Sequence, residues 1–395
     1  MTSLNMTVGI ESACKRNILK NINRYYKINN MNTSLHEKGD QYFMNSSDIA
    51  KLAGVSRSTV SRVINNYPNV PEETREKVLK IIKEHDYVPH ASARMLAGSK
   101  NRVIGLFIVD MVERSNGLKN RITKSPYYLE FTSSVIENAS EMEYTVLVHI
   151  IHNEHGYEKI KECFFNKTIS GGIFIGQNDN DVAIKKIIDS GYKVVLVDQS
   201  INSEDDIYKK CMIVNADNYG GAYNATKYLI DLNHKEILHI TGGTYKFSSK
   251  ERINGYKKAL KDAKIPIKRN LIVNSEFIEE GGYNSVKKCL NKNNKFTAIF
   301  AGNDKIAFGA IKALNEQGLR VPEDVSVIGF DDIESSQYFS PPLTTMAMEL
   351  SGMAEIATKS LINSIENDVS FSANYVIPVK MAERESCMKI SEYAE

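Results

Sequence analysis

The residues best equipped for chemistry lie near the front of the chain, in SDIAKLAGVSRSTVSRVINN, residues 47–66. Two short helices joined by the tight Ala53-Gly54-Val55-Ser56 turn carry Arg57, Ser58 and Arg62 outward on successive turns of the second. An arginine fork there can pair with guanine O6 and N7 in a DNA major groove, each good pair contributing roughly 1–3 kcal/mol of base discrimination. The hydroxyls of Ser56 and Thr59, with the helix amino end, suit phosphate oxygens. A merely solvated helix face would carry similar residues. Other chemistries find less support. His149, His152 and His155 follow a strand rather than the helical spacing of a zinc site, and no HExxH occurs. GGTYKFSSK and GGIFIG lack the phosphate-loop and GxGxxG patterns, and there is no GxSxG elbow. No enzyme, metal or cofactor is expected.

The elements that must hold these residues are legible nearby. Asn45 and Asp48 have capping-box spacing and open a helix with Ile49, Ala50, Leu52 and Ala53, which Gly54 ends. Ser56 caps a second helix, Arg57 to Asn65, with Val60, Val63 and Ile64 as its apolar stripe. After Tyr67-Pro68-Asn69, Pro71 at a first helical position and Glu72/Glu73 start a third, with Val78, Leu79, Ile81 and Ile82 as core face. Residues 44–88 thus read as one all-α bundle. From Arg102 onward the texture becomes βαβα: VIGLFIV, YTVLVHII, GGIFIG and YKVVLVD alternate with helices. The pattern repeats after residue 211 with MIVNAD, EILHITG, FTAIFAGND and VSVIGFDD. Two doubly wound units in tandem place a ligand in the cleft between them, near the carboxyl ends of their strands.

The chain has 395 residues, 42% hydrophobic and 25% charged, which excludes a disordered or disulfide-stapled chain and allows two or three cores. Its net charge of +2 hides an asymmetry: residues 1–102 hold 16 Lys/Arg against 9 Asp/Glu, a balance of +7, leaving −5 for the rest. A basic head on a mildly acidic body points to a polyanion-binding module attached to something else. The five cysteines lie far apart without a CxxC pair, so reduced thiols are expected. No apolar run of 18 residues and no secretory h-region occurs, so a cytoplasmic, nucleoid-associated protein is expected. Residues 1–43, rich in Asn, Lys and Ser, read as a disordered extension, and a start at Met44 would account for them.

The motif DIAKLAGVSRSTVSRVINN, followed by PEETREKVLKIIKEHDYVPHASARMLAGSK and VIGLFI, resembles the lactose/galactose repressor (LacI/GalR) family of transcription regulators over Asn45 to about Ser386. The resemblance implies an all-α helix-turn-helix domain (44–88), a hinge helix (89–101), and a periplasmic-binding-protein-like α/β body (102–395). Its first lobe would hold residues 102–211 and 347–376, its second 212–346 and 377–395. Arg57, Ser58 and Arg62 match major-groove positions, with Ser56, Thr59, Asn65 and Tyr87 at phosphates. HASARMLAG matches the hinge, in which Leu96 is an apolar wedge for the minor groove and Ala93 allows close backbone approach. Asp198, Arg252, Asn303 and Asp331 match effector-binding positions. Phe277 matches an aromatic position, and Ser248, Ser125, Tyr127 and Tyr128 are weaker matches.

Carboxylates accept from vicinal hydroxyls and an arginine fork spans two oxygens, so this set suits a sugar or similar polyol. Where the family usually has only a few residues, MVERSNGLKNRITK intervenes. Arg114, Lys119, Arg121 or Lys124 of this loop would favour an anionic sugar if they reached the ligand. The resemblance further implies a homodimer on palindromic operator DNA, acting as a repressor. The chain ends nine residues after Ser386, without the heptad tail some relatives use to form tetramers. The competing readings are a periplasmic-type sugar-binding protein, which needs a secretion signal, and an α/β sugar-modifying enzyme, which needs an acid/base pair or nucleotide loop.

Overall fold

The computed structural model describes residues 44–64, 67–85, 87, 101–109, 125–177, 181–200, 209–369 and 372–390. They fall into two units, divided after Ser99.

In the first unit, helices α1 (Ser46–Ala53), α2 (Arg57–Ile64) and α3 (Glu72–Glu84) pack as a bundle. Asn45 Oδ1 accepts from Ser47 N at 2.8 Å and Asp48 N at 3.3 Å, while Asp48 Oδ2 accepts from Asn45 N at 3.0 Å. This reciprocal cap satisfies amides that the first turn leaves without partners. Gly54 ends α1 at φ 66°, a left-handed conformation that costs glycine little. The core is Ile49, Ala50, Ala53, Val60, Val63, Val70, Val78 and Tyr87. Two expectations need correction. Leu79 is 47% exposed, because one residue's 100° step beyond buried Val78 carries it off the packed stripe that Ile81 and Ile82 adjoin. Pro71 is the cap of α3 rather than its first helical residue.

The second unit contains two six-stranded sheets. The first, ordered β11-β5-β4-β3-β1-β2, comprises β1 (Val103–Val109), β2 (Thr145–Ile151), β3 (Gly171–Ile175), β4 (Lys193–Val197), β5 (Met212–Ala216) and β11 (Ala373–Ile377), all parallel. The second, ordered β12-β10-β9-β8-β6-β7, comprises β6 (Ile237–Thr241), β7 (Ile272–Asn274), β8 (Ala298–Ala301), β9 (Ser326–Asp331), β10 (Thr344–Ala347) and β12 (Lys380–Ala382). Among the described strands only β12 runs antiparallel, against β10.

Helices α4 (Pro126–Glu141), α5 (Glu154–Phe165), α6 (Val182–Asp189) and α11 (Leu350–Asn367) belong with the first sheet. Helices α7 (Asn218–Asp231), α8 (Phe247–Asp262), α9 (Glu279–Asn291) and α10 (Asp304–Glu316) belong with the second. Helices cover both faces of the central parallel strands, which is why those strands are continuous apolar runs.

The expected division after residue 211 is wrong by one strand. Met212–Ala216 pairs with β4, Val197 opposite Val214, and with β11, so it belongs to the first sheet. A buried strand that ends one α/β set and one that begins the next have the same composition, and only pairing separates them. Similarly, Ala347 ends a strand of the second sheet and Ile377 one of the first. The chain therefore crosses between lobes three times: at residues 216–218, 347–350 and 377–380.

Candidate nucleic-acid interface and interlobe cavity

On the helical bundle, Arg57, Ser58, Ser61 and Arg62 are exposed while Val60 and Val63 turn inward. Ser56 Oγ accepts from Thr59 N at 3.1 Å, capping α2, and lies 2.7 Å from Ser58 Oγ and 2.8 Å from Thr59 Oγ1. Three hydroxyls thus cluster at a helix amino end, where the backbone dipole favours an anion such as phosphate. Arg57 Nε donates to Ser46 Oγ at 2.9 Å, so this guanidinium also braces α2 against the start of α1. Tyr87, expected at a phosphate, is 7% exposed and belongs to the bundle core. Asn65, Ala93 and Leu96 lie outside the described residues.

In the second unit, all nine side chains assigned from sequence to the ligand line one cavity of about 330 Å³ between the lobes. Ser125, Tyr127 and Tyr128 come from the start of α4, and Asp198 follows β4. Ser248 and Arg252 lie in the first two turns of α8, Asn303 caps α10, Asp331 ends β9, and Phe277 precedes α9. The basic loop residues Arg114, Lys119, Arg121 and Lys124 lie outside the described residues. His149 is on β2, whereas His155 opens α5, so the three histidines do not share one strand.

Arg252 is the centre of the cavity's charge, and burial draws its pKa down while Asp331 and Asp198 oppose the shift. It is 3% exposed. Its Nε donates to Asn218 Oδ1 at 2.9 Å, one terminal nitrogen donates to Gly302 O, and the other lies 3.7 Å from Asp331 Oδ1. The guanidinium also stacks over the Phe330 ring at 3.7 Å. Burial pushes the Asp331 carboxyl well above its ordinary range, and Arg252 pulls the other way. Asp304, behind this site, accepts from Ile333 N at 2.9 Å, Ser336 Oγ at 2.7 Å and Thr345 Oγ1 at 2.5 Å. Burial outweighs these bonds and raises it to about 6. Asp332 pairs instead with Arg384 at 2.7 Å. Neither aspartate caps a helix; Asn303 does, accepting from Ile306 N at 2.9 Å.

Across the cavity, Tyr127 Oη donates to Asp198 Oδ2 at 2.8 Å, and burial followed by this carboxylate raises the phenol well above its usual range. Asp198 Oδ1 is buried without a hydrogen-bond partner, as is Gln177 Oε1 in the cavity wall. Such atoms want a donor, which a ligand hydroxyl supplies. Asp198 and Asp331 sit at φ 55° and 115°, conformations that cost non-glycine residues on the order of 1–3 kcal/mol and cluster at binding sites. Gly242 matters for a different reason. A Cβ there would fall 2.1 Å from the Phe277 ring, so only glycine lets that ring lie against the end of β6.

Sequence reasoning missed Gln177, Tyr245, Lys246, Phe247, Glu279, Glu280 and Lys305, which also line the cavity. Most lie around the helix starts that follow β6, β7 and β8. The rule that ligands gather outside carboxyl strand ends would have marked those segments, though not the side chains that turn inward.

Residues 47–90 match the family described as bacterial regulatory proteins, lacI family, and residues 226–387 match a periplasmic binding protein-like domain. Over 352 residues the chain is 35% identical to the HTH-type transcriptional regulator MalR of Clostridium butyricum, spanning 88% of this chain and 100% of that protein. Over 329 residues it is 32% identical to the ribose operon repressor of Haemophilus influenzae, spanning 81% and 91%. Among solved structures it is similar to the lac repressor dimer bound to operator and the anti-inducer ONPF. That likeness has a TM-score of 0.73 and 25% identity, over 87% of this chain and 99% of that one.

Proposed function

The chain belongs to the lacI family of bacterial regulatory proteins, and from that premise we propose that it is a homodimeric transcriptional repressor controlled by a small sugar-like effector. The observation that carries the DNA-binding half is the outer face of α2. A capped helix on a packed bundle presents Arg57, Ser58 and Arg62 to solvent, with hydroxyls clustered at its amino end. That is the surface a major groove and its flanking phosphates require. Segment 90–98, outside the described residues, is assigned the minor groove on its sequence alone.

The interlobe cavity supports the effector half. Its carboxylates, arginine and unpartnered oxygens suit a molecule rich in hydroxyls. An apolar strip supports the dimer: Leu129 and Ile136 of α4, with Val148 and Ile150 of the adjoining edge strand β2, are each more than a third exposed. A second copy would cover it. Effector and DNA binding are then linked reciprocally, on the order of 1–3 kcal/mol. Among the described residues no helix is long and apolar enough to cross a membrane, and the proposed action on DNA would have the protein work in the cytoplasm at the nucleoid.

A gel-shift assay with the gene's own upstream region tests the reading. Arg62→Ala should weaken the specific complex by roughly 1–3 kcal/mol and relax base preference, whereas Lys51→Ala should have little effect. Equal losses from both would reject α2 as the reading helix, and no complex with any fragment would reject the DNA-binding role.

A further inference from the structure

The cavity differs in chemistry between its floor and its mouth. On the floor, Arg252, Asn303 and Asp331 are all less than 9% exposed. At the mouth, the segment entering α8 brings Tyr245, 41% exposed, to the lining, with Lys246, Glu279 and Glu280 also lining the cavity, while the Phe277 ring, 5.8 Å from the Arg252 guanidinium, adjoins the floor. Polar groups that order hydroxyls thus give way to a ring whose face suits the C–H surface of a pyranose.

Volume bears on the same point. One hexose fills roughly 150 Å³ at the close packing of ligand sites. A single ring on the floor of a 330 Å³ cavity would leave space for about six waters at about 30 Å³ each. Two rings fill it. Charge restricts the ligand further. Arg252, the cation of the floor, is already engaged with Asn218, Gly302 and Asp331. At the mouth Lys246 and Lys305 are matched by Glu279 and Glu280, and Lys246 Nζ donates to Gly176 O across the cleft. Among the described residues, a phosphate or carboxylate on the ligand would find the floor's cation already engaged and a balanced set of charges at the mouth.

We propose that the effector is an uncharged disaccharide, with one ring held by Asp198, Arg252, Asn303 and Asp331 beside the Phe277 ring and the second against Tyr245. This rests on the sugar-effector reading above and narrows it. Titration calorimetry of the full chain with maltose, cellobiose and lactose, their component monosaccharides, glucose 6-phosphate and glucuronate tests it. One neutral disaccharide should bind at least about tenfold more tightly than its component monosaccharides and than either anion. Tyr245→Ala should cost the disaccharide at least about fivefold more affinity than it costs the monosaccharide, while Tyr245→Phe keeps the advantage.

Tighter binding of a monosaccharide or of an anionic sugar would overturn the proposal and leave the sugar-effector reading standing. Equal losses for one ring and two in Tyr245→Ala would overturn it as well. Binding of no saccharide of either size would overturn both.

Discussion

Replacing Arg252 by methionine separates its role in the fold from its role toward a ligand. Methionine keeps an apolar stem against Phe330 but removes the charge and the donors to Asn218 Oδ1 and Gly302 O. Leaving a buried carboxylate without its cation costs about 3–5 kcal/mol, and each orphaned acceptor about 1–3 kcal/mol, contributions that overlap because the groups relax together. We expect a net loss of about 4 kcal/mol. At roughly 2 °C per kcal/mol for a body of this size, the melting temperature should fall by about 8 °C.

The pH dependence identifies the cause. The folded pKa of Asp331 already lies above its unfolded value, so its contribution is greatest below the unfolded value and is lost as pH rises through the folded one. Arg252 is the cation that pulls that folded value down, against burial, Asp304 and Asp198. Without it the folded value rises further and the loss at high pH deepens. The gap between variant and wild type should therefore be narrower at pH 4 than at pH 9. Calorimetric melting of both proteins at the two pH values provides the measurement. A gap unchanged with pH, or a variant as stable as wild type, would refute the assignment of Arg252 as the partner of a buried Asp331 charge.

Asp304 offers a second titration. Its folded value of about 6 exceeds its ordinary 3.8, so its contribution is present below about pH 4 and is lost as pH rises through 6. Asp304→Asn should flatten the urea-midpoint profile between pH 4 and pH 7 by an amount on the order of 3 kcal/mol, and a retained wild-type slope would contradict this origin. In the helical unit, Asn45→Ala removes the acceptor for two amides at the start of α1. A loss of about 1 kcal/mol should speed hydrogen exchange of α1 amides about fivefold in the full chain.

The first unit's helices are written in local chemistry. Asn45 and Asp48 complete one cap, Gly54 closes the helix, and Ser56 opens the next, each through bonds spanning no more than four residues. Such signals survive in a linear reading because their geometry is set by neighbours in sequence. The buried parallel strands are equally legible, since two covered faces leave no polar alternation. The chemical character of the cavity could be named from sequence only through motif resemblance. Ser125 and Asp331 are separated by about two hundred residues, and nothing local shows that they share one space.

Tertiary structure decided the remaining questions. It gave Met212–Ala216 to the first sheet through pairing with β4 and β11, a choice made by partners rather than composition. It placed the Tyr87 ring in the core of the helical bundle, where its apolar surface leaves water. It occupied Arg252 with Asn218, Gly302, Phe330 and Asp331, which no spacing along the chain reveals. Residue types determine which interactions are available and which local turns form. Burial and long-range pairing determine which of those interactions the folded chain uses.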